Sequence, residues 1–186
     1  MIHRNEPLHC RIIPMLITGL GVKKYLEFGV CDNESLAPAT RAILANQGTA
    51  IGVDIRQPPY AVHGAIYKIM STADYLASHA AADGPFDMVF IDADHNEAAV
   101  AADFLGIWPH VVDDGLVLMH DGNPGTLRDV QPGYCNDAWK AIRKITESHE
   151  AVTLPYHPGL TIVRKRALWG PAPSPLPADR DSAERS

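Results

Sequence analysis

An α/β fold, doubly wound around a mainly parallel sheet, is what this sequence predicts, on three observations. Strand-like and helix-like segments alternate along almost the whole chain. Met88-Val89-Phe90-Ile91 is an unbroken apolar run, suited to a strand buried on both faces. The last two strand segments are joined only by Tyr156-His157-Pro158-Gly159, too short a turn for a parallel crossover, so an antiparallel edge strand is expected. Together the segments give a Rossmann-like sheet of seven strands.

Taken in order, residues 8–20 read as an amphipathic helix closed near Gly19 and Gly21, making 1–22 an N-terminal helical segment ahead of a domain over 23–168. Lys24 to Phe28 is the first strand. Its helix runs from Ser35, the expected N-cap, to Ala45, with Pro38 tolerated in the first turn. Ala50 to Asp54 is the second strand, and residues 56–65, with Pro58 and Pro59, form a loop. Ala65 to Met70 is a third strand and Ala73 to Ala82 a helix. The fourth strand contains the MVFI run, Glu97 to Ile107 is a helix, and GLVLMHD ends the fifth strand at His120 and Asp121. Asp137 to Thr146 is a helix, and Ala151 to Leu154 and Leu160 to Arg164 are the closing strands. Residues 169–186, rich in Pro, Ala and Ser, read as a disordered tail.

Composition narrows the function classes. The chain has 186 residues, 46% hydrophobic and 20% charged, which is one globular domain with a substantial core. Its net charge of −6 and scattered Lys and Arg argue against nucleic acid as a partner. Cys10, Cys31 and Cys135 are an odd, widely spaced set, read as free thiols of a reducing compartment. No apolar run reaches membrane-spanning length and no signal-peptide core is visible, so a cytoplasmic protein with no membrane contact is expected.

The stretch YLEFGVCDNESLA, Tyr25 to Ala37, is a strand, a tight glycine turn and a helix start, where a ligand can lie against exposed N–H groups. Asp54 then ends the second strand at the spacing of a ribose-binding acid. The turn departs from G-x-G-x-x-G after Gly29, although Asn33 tolerates the left-handed region and stands in for one glycine. Asp32 and Glu34 conflict with a bound pyrophosphate, so the loop favours a cationic adenosine ligand such as S-adenosylmethionine over NAD. An ordinary strand–turn–helix with no ligand is the plain alternative.

In doubly wound sheets ligands bind beyond the carboxyl ends of the strands. Asp54, then Asp92, Asp94 and His95, then His120 and Asp121 all fall there. So many ionisable groups at the ends of buried strands are costly to place without a role.

YLEFGV, IGVDI, FDMVFIDADHNEAAVAADFLGIWPHVVDDGLVLMHD and the NDAWKAI helix resemble a class I S-adenosylmethionine-dependent methyltransferase. The likeness is to the small IDADH…HD group, methyltransferase family 24-like, and covers roughly residues 24–166. Departures are the absent later glycines of the first loop, the shortened region after Asp54, and Asp113-Asp114-Gly115 where relatives have a Gly-Gly turn. The resemblance implies that Glu27 and Gly29, with Asn33 and Ser35 in the same loop, surround the methionine end of the cofactor. It places Asp54 on the ribose hydroxyls, Ser71 or Thr72 near the adenine, and Asp92 near the sulfonium. Glu27 as a capping carboxylate, Asp54 as a turn residue and Ser71 and Thr72 as helix caps remain the structural alternatives.

For chemistry, His120 or His95 is a candidate general base, since an imidazole titrating near neutrality suits that role. Alternatively Asp92, His120 and Asp121 hold a divalent metal, with Mn or Fe suited better than Mg by the imidazole. Asp94 reads equally as a helix cap. His63, His79, His110 and His149 read as solvent-facing, and Trp108, Trp139 and Trp169 as packing residues. The expected function is O-methylation of a small-molecule acceptor. Rivals are an adenosine-ligand-binding domain without turnover and an NAD-dependent oxidoreductase. The glycine- and proline-rich loop over 122–136 is expected to border the acceptor, and the sparse cover over the site suggests a homodimer.

Overall fold

The computed structural model describes residues 7–166. The expected tail over 169–186, with Trp169, lies outside them, as does the start of the N-terminal segment. Seven strands form one sheet: β1 (Lys24–Phe28), β2 (Thr49–Asp54), β3 (Ala65–Ile69), β4 (Phe86–Ile91), β5 (Val111–His120), β6 (Glu150–Leu154) and β7 (Leu160–Arg164). Their spatial order is β3-β2-β1-β4-β5-β7-β6. β1 to β5 pair in parallel, whereas β7 runs antiparallel to both its neighbours and lies one place in from the edge, with β6 outside it.

Side chains alternate between the two faces of the sheet, and both faces are covered. Leu26, Phe28, Val89, Ile91, Val117 and Met119 form one core with residues such as Val100, Phe104 and Ile142. These come from α5 (Glu97–Ile107) and α6 (Ala138–Ser148). Tyr25, Met88, Phe90 and Leu118 face the other way, against Ile13 and Ile17 of α1 (Leu8–Leu20) and Leu36 and Ile43 of α2 (Leu36–Ala45). Continuous apolar strands are thus the direct consequence of a two-sided sheet. Gly21 ends α1 in the left-handed region at φ 67°, as expected of a C-terminal glycine.

Four sequence expectations change. Ser35 does not cap α2: it has helical φ/ψ, and its hydroxyl is drawn inward to Glu27. The helix expected over 73–82 is two pieces, α3 (Thr72–Ser78) and α4 (Ala80–Asp83), broken at His79. β5 begins earlier, because Asp113 and Asp114 form a bulge whose register slips between Phe86–Val111 and Met88–Leu116. Arg164 holds that bulge through Asp114 Oδ1 at 2.7 Å. His79, His110 and His149 are partly buried, not solvent-facing: His79 stacks on Tyr75, and His149 stands edge-on to Phe104 and Trp108. Trp108 packs, as expected, against Phe104. No helix among the described residues is long and apolar enough to cross a membrane.

Candidate active site

The strand order reverses between β1 and β4, and the site is built where their carboxyl ends separate. Gly29 leaves β1 at φ 87°, and a Cβ there would lie 2.1 Å from the Asp92 carbonyl oxygen. Only glycine permits this contact between the first loop and the end of β4. Cys31 and Asn33 also take positive φ, 49° and 70°, so Asn33 does stand in for a glycine. Asn33 is fully buried and tied to the Tyr60 carbonyl and the Tyr67 hydroxyl, both at 2.8 Å. It shapes the loop from behind.

Asp54 faces the first loop. Its Oδ2 accepts the Val30 and Cys31 N–H groups at 3.0 and 2.9 Å, and its Oδ1 accepts that of Arg56 at 2.9 Å. Glu27 is wholly enclosed and accepts the Tyr25 and Ser35 hydroxyls at 2.6 and 2.7 Å. Burial outweighs those hydrogen bonds and raises its pKa to about 8, so the carboxyl is neutral near pH 7.

Two cavities open at the strand ends. The first, about 520 Å³, runs past Gly29, Asp54, Met70, Ser71, Thr72, Asp94 and Ala99. Ser71 both lines it and caps α3, accepting the Asp74 N–H at 3.1 Å. Asp94 braces the turn before α5, accepting the Asn96 N–H at 3.0 Å, while Asn96 is the actual cap. The second, about 580 Å³, is lined by His9, Ser35, Asp92, His120, Asp121 and Cys135 among others. Gly29, Ala93, His95 and Tyr134 belong to both, so the cavities share a wall. Glu27 and Asn33 line neither. A third groove, about 650 Å³, lies between α5 and α6, away from the strand ends.

On the second cavity's side of that wall four side chains converge, and His95 alone of them also lines the first cavity. His120 Nδ1 lies 3.3 Å from Asp92 Oδ1 and 3.1 Å from Asp121 Oδ1. His95 Nδ1 donates to the Tyr134 carbonyl at 2.6 Å and lies 3.0 Å from Asp121 Oδ2, while its Nε2 is 3.5 Å from Asp92 Oδ1. Asp121 takes φ 64°, which turns its carboxylate back toward His120. Burial alone would lower the His120 pKa, but contact with Asp121 and Asp92 raises it to about 10. Contact with Asp92 raises His95 to about 9 against the opposing effect of burial. Burial pushes Asp92 up, yet the two imidazoles overrule it and hold its pKa at about 2. Both rings are therefore charged near pH 7 and not poised at neutrality as the sequence suggested.

The donor set fits a divalent cation. One ligand atom each from Asp92, His95 and Asp121 lie within 4.8 Å of one another. Asp92 Oδ1 and Asp121 Oδ2 are buried without a well-formed hydrogen bond. Two carboxylates facing two imidazoliums sum to zero charge, and one divalent ion in place of the two ring protons preserves that sum. Of the metal set expected from sequence, Asp92 and Asp121 fall in this cluster, and His95 stands in it where His120 was expected.

Sequence reasoning missed His9, Tyr134 and Cys135. His9 precedes Ile13 and Ile17 by one and two helical turns, so it falls on the buried stripe of α1. That spacing was the available signal. Tyr134 and Cys135 lie in the loop over 122–136 that was expected to border the acceptor, although neither was singled out within it.

A family model described as a methyltransferase domain matches residues 26–122. No curated protein matches the chain. Among solved structures, a Staphylococcus aureus protein described as a caffeoyl-CoA O-methyltransferase superimposes with a TM-score of 0.70 at 16% identity, covering 86% of this chain and 83% of that one. An O-methyltransferase from Bacillus cereus, solved with SAH, gives 0.65 at 15% identity, covering 89% and 84%. MycE of the mycinamycin biosynthetic pathway, solved with Mg and SAH, gives 0.65 at 20%, covering 94% of this chain and 53% of that one.

Proposed function

The chain belongs to the methyltransferase-domain family; from that premise we propose that it is a class I S-adenosylmethionine-dependent enzyme that methylates a hydroxyl of a small-molecule acceptor. The observation that carries this reading is the wall shared by the two cavities at Gly29, Ala93, His95 and Tyr134, with Asp92, His120 and Asp121 gathered on its second-cavity side. Methyl transfer is an in-line displacement, so donor and acceptor must approach one another from adjoining sites.

In this reading S-adenosylmethionine fills the Asp54 cavity, its ribose toward Asp54 and its adenine toward Ser71 and Thr72, with the methyl group at the Gly29–Ala93 wall. The acceptor enters the His9–His120 cavity. Asp92, Asp121 and one or both of His95 and His120 hold a divalent cation, which when bound acidifies a nearby hydroxyl. Asp92 and Asp121 fix the His120 ring through Nδ1, so His120 is proposed to donate from Nε2 to the acceptor oxygen, and as an imidazolium it is not the general base expected from sequence. His95 ties the same carboxylates to the Tyr134 loop.

The test is calorimetric titration with S-adenosylhomocysteine together with S-adenosylmethionine turnover on a panel of catechols, phenols and sugars. Micromolar binding and transfer to oxygen are expected. Binding with no turnover on any acceptor favours a pure binding domain, and failure to bind S-adenosylhomocysteine sinks the assignment of the cavity.

A further inference from the structure

His9 has no part in the scheme above, yet its surroundings are those of a working residue. It is 7% exposed and lines the second cavity from α1, an element outside the strand-end cluster. Its ring stacks on Phe90 at 5.6 Å and meets the His120 ring edge-on at 4.4 Å between centroids. Its Nδ1 is buried with no hydrogen-bond partner, and so is Nε2 of His120. A buried polar atom left unpartnered is destabilising, and two of them on touching rings that line one cavity point to a ligand group that satisfies both.

We propose that His9 is an acceptor-binding residue, and that the reacting hydroxyl of the acceptor bridges His9 Nδ1 and His120 Nε2. A hydroxyl is the fitting group because it donates and accepts at once. It takes the hydrogen bond of the His120 N–H and gives its own proton to the His9 lone pair. A primary ammonium offers no lone pair to His120, and a carboxylate offers no proton to His9. The pair therefore selects a neutral hydroxyl, alcohol or phenol, as the group seated between the rings.

This inference rests on the methyl-transfer reading, and the experiment separates the two. His9→Phe keeps the ring and removes the nitrogen, and His9→Asn restores a polar atom close to the Nδ1 position. Each is assayed with the acceptor from the catechol, phenol and sugar panel that the wild type methylates best, and S-adenosylhomocysteine affinity and thermal midpoint are measured alongside. For His9→Phe, an acceptor KM raised roughly tenfold is expected, as for the loss of one hydrogen bond. S-adenosylhomocysteine affinity should stay within about twofold, and His9→Asn should recover most of the loss. If both variants are impaired equally, or neither is, His9 only packs and the inference falls. If His9→Phe does not fold, His9→Asn alone decides it: loss of acceptor KM equal to that of His9→Ala overturns the bridge. Absence of wild-type turnover on the whole panel removes the proposed function and this inference with it.

Discussion

Asp92 Oδ1 and His120 Nδ1 stand 3.3 Å apart across the seam where β4 and β5 pair Ile91 with Met119. Each residue is the next one along its strand, so their contact is set by backbone register and not by a loop. Buried, two-sided strands hold that register firmly, because a one-residue slip would turn every side chain to the wrong face.

Asp92 holds both imidazoles and lines the second cavity, so Asp92→Asn should abolish most turnover. A loss of roughly two to four orders of magnitude is expected, with S-adenosylhomocysteine affinity changed only a few-fold. Initial rates of S-adenosylhomocysteine formation, read beside calorimetric binding, check this. Turnover close to wild type would place the reacting centre elsewhere.

A resident cation makes a separate prediction. EDTA treatment should lower turnover at least tenfold, and Mn²⁺ should restore it. Mn²⁺ binding, followed by electron paramagnetic resonance without substrate, should weaken on Asp121→Asn. Activity indifferent to EDTA excludes the ion from the reaction.

Asp54 serves the cofactor cavity twice, as a wall and as the acceptor of three loop N–H groups. Asp54→Ala should therefore weaken S-adenosylhomocysteine binding by about tenfold to a hundredfold, given about 1.5–3 kcal/mol for a charged hydrogen bond. Asp54→Asn, which keeps an acceptor oxygen, should lose less. An unchanged affinity in Asp54→Ala would separate this residue from the cofactor.

Glu27 should make stability depend on pH. Its folded pKa of about 8 stands above the ordinary 4.5, so the folded chain holds the proton more tightly than the unfolded one. The stability it contributes is full below the ordinary value and is lost as pH rises through the folded pKa. Glu27→Gln, fixed in the neutral form, should not share this loss. Urea midpoints of both proteins at acidic and alkaline pH test it. Equal declines in the two proteins would show that Glu27 does not carry the effect.

The sheet was legible because its strands are apolar runs ending in acids and imidazoles, a pattern that periodicity and charge expose directly. The pairing of Asp92, His95, His120 and Asp121 followed from strand ends alone. Tertiary position decided what was not legible. Ser35 looked like a helix cap until the buried Glu27 claimed its hydroxyl. Glu27, expected beside the cofactor, is fully buried with its carboxyl group taken up by two hydroxyls. His9 reached the site through helix packing between distant segments, which local sequence does not encode.

The approach of Gly29 to the Asp92 carbonyl has a consequence for how the molecule can diverge. A side chain at position 29 cannot be accepted while the backbone of Asp92 stays in place. Single-step change in the cofactor loop is therefore closed off at this point, and any viable path must move the end of β4 in the same step. Under the proposed assignment, cofactor recognition and acceptor chemistry are separate tasks in separate cavities, but at these two residues they are mutationally one locus.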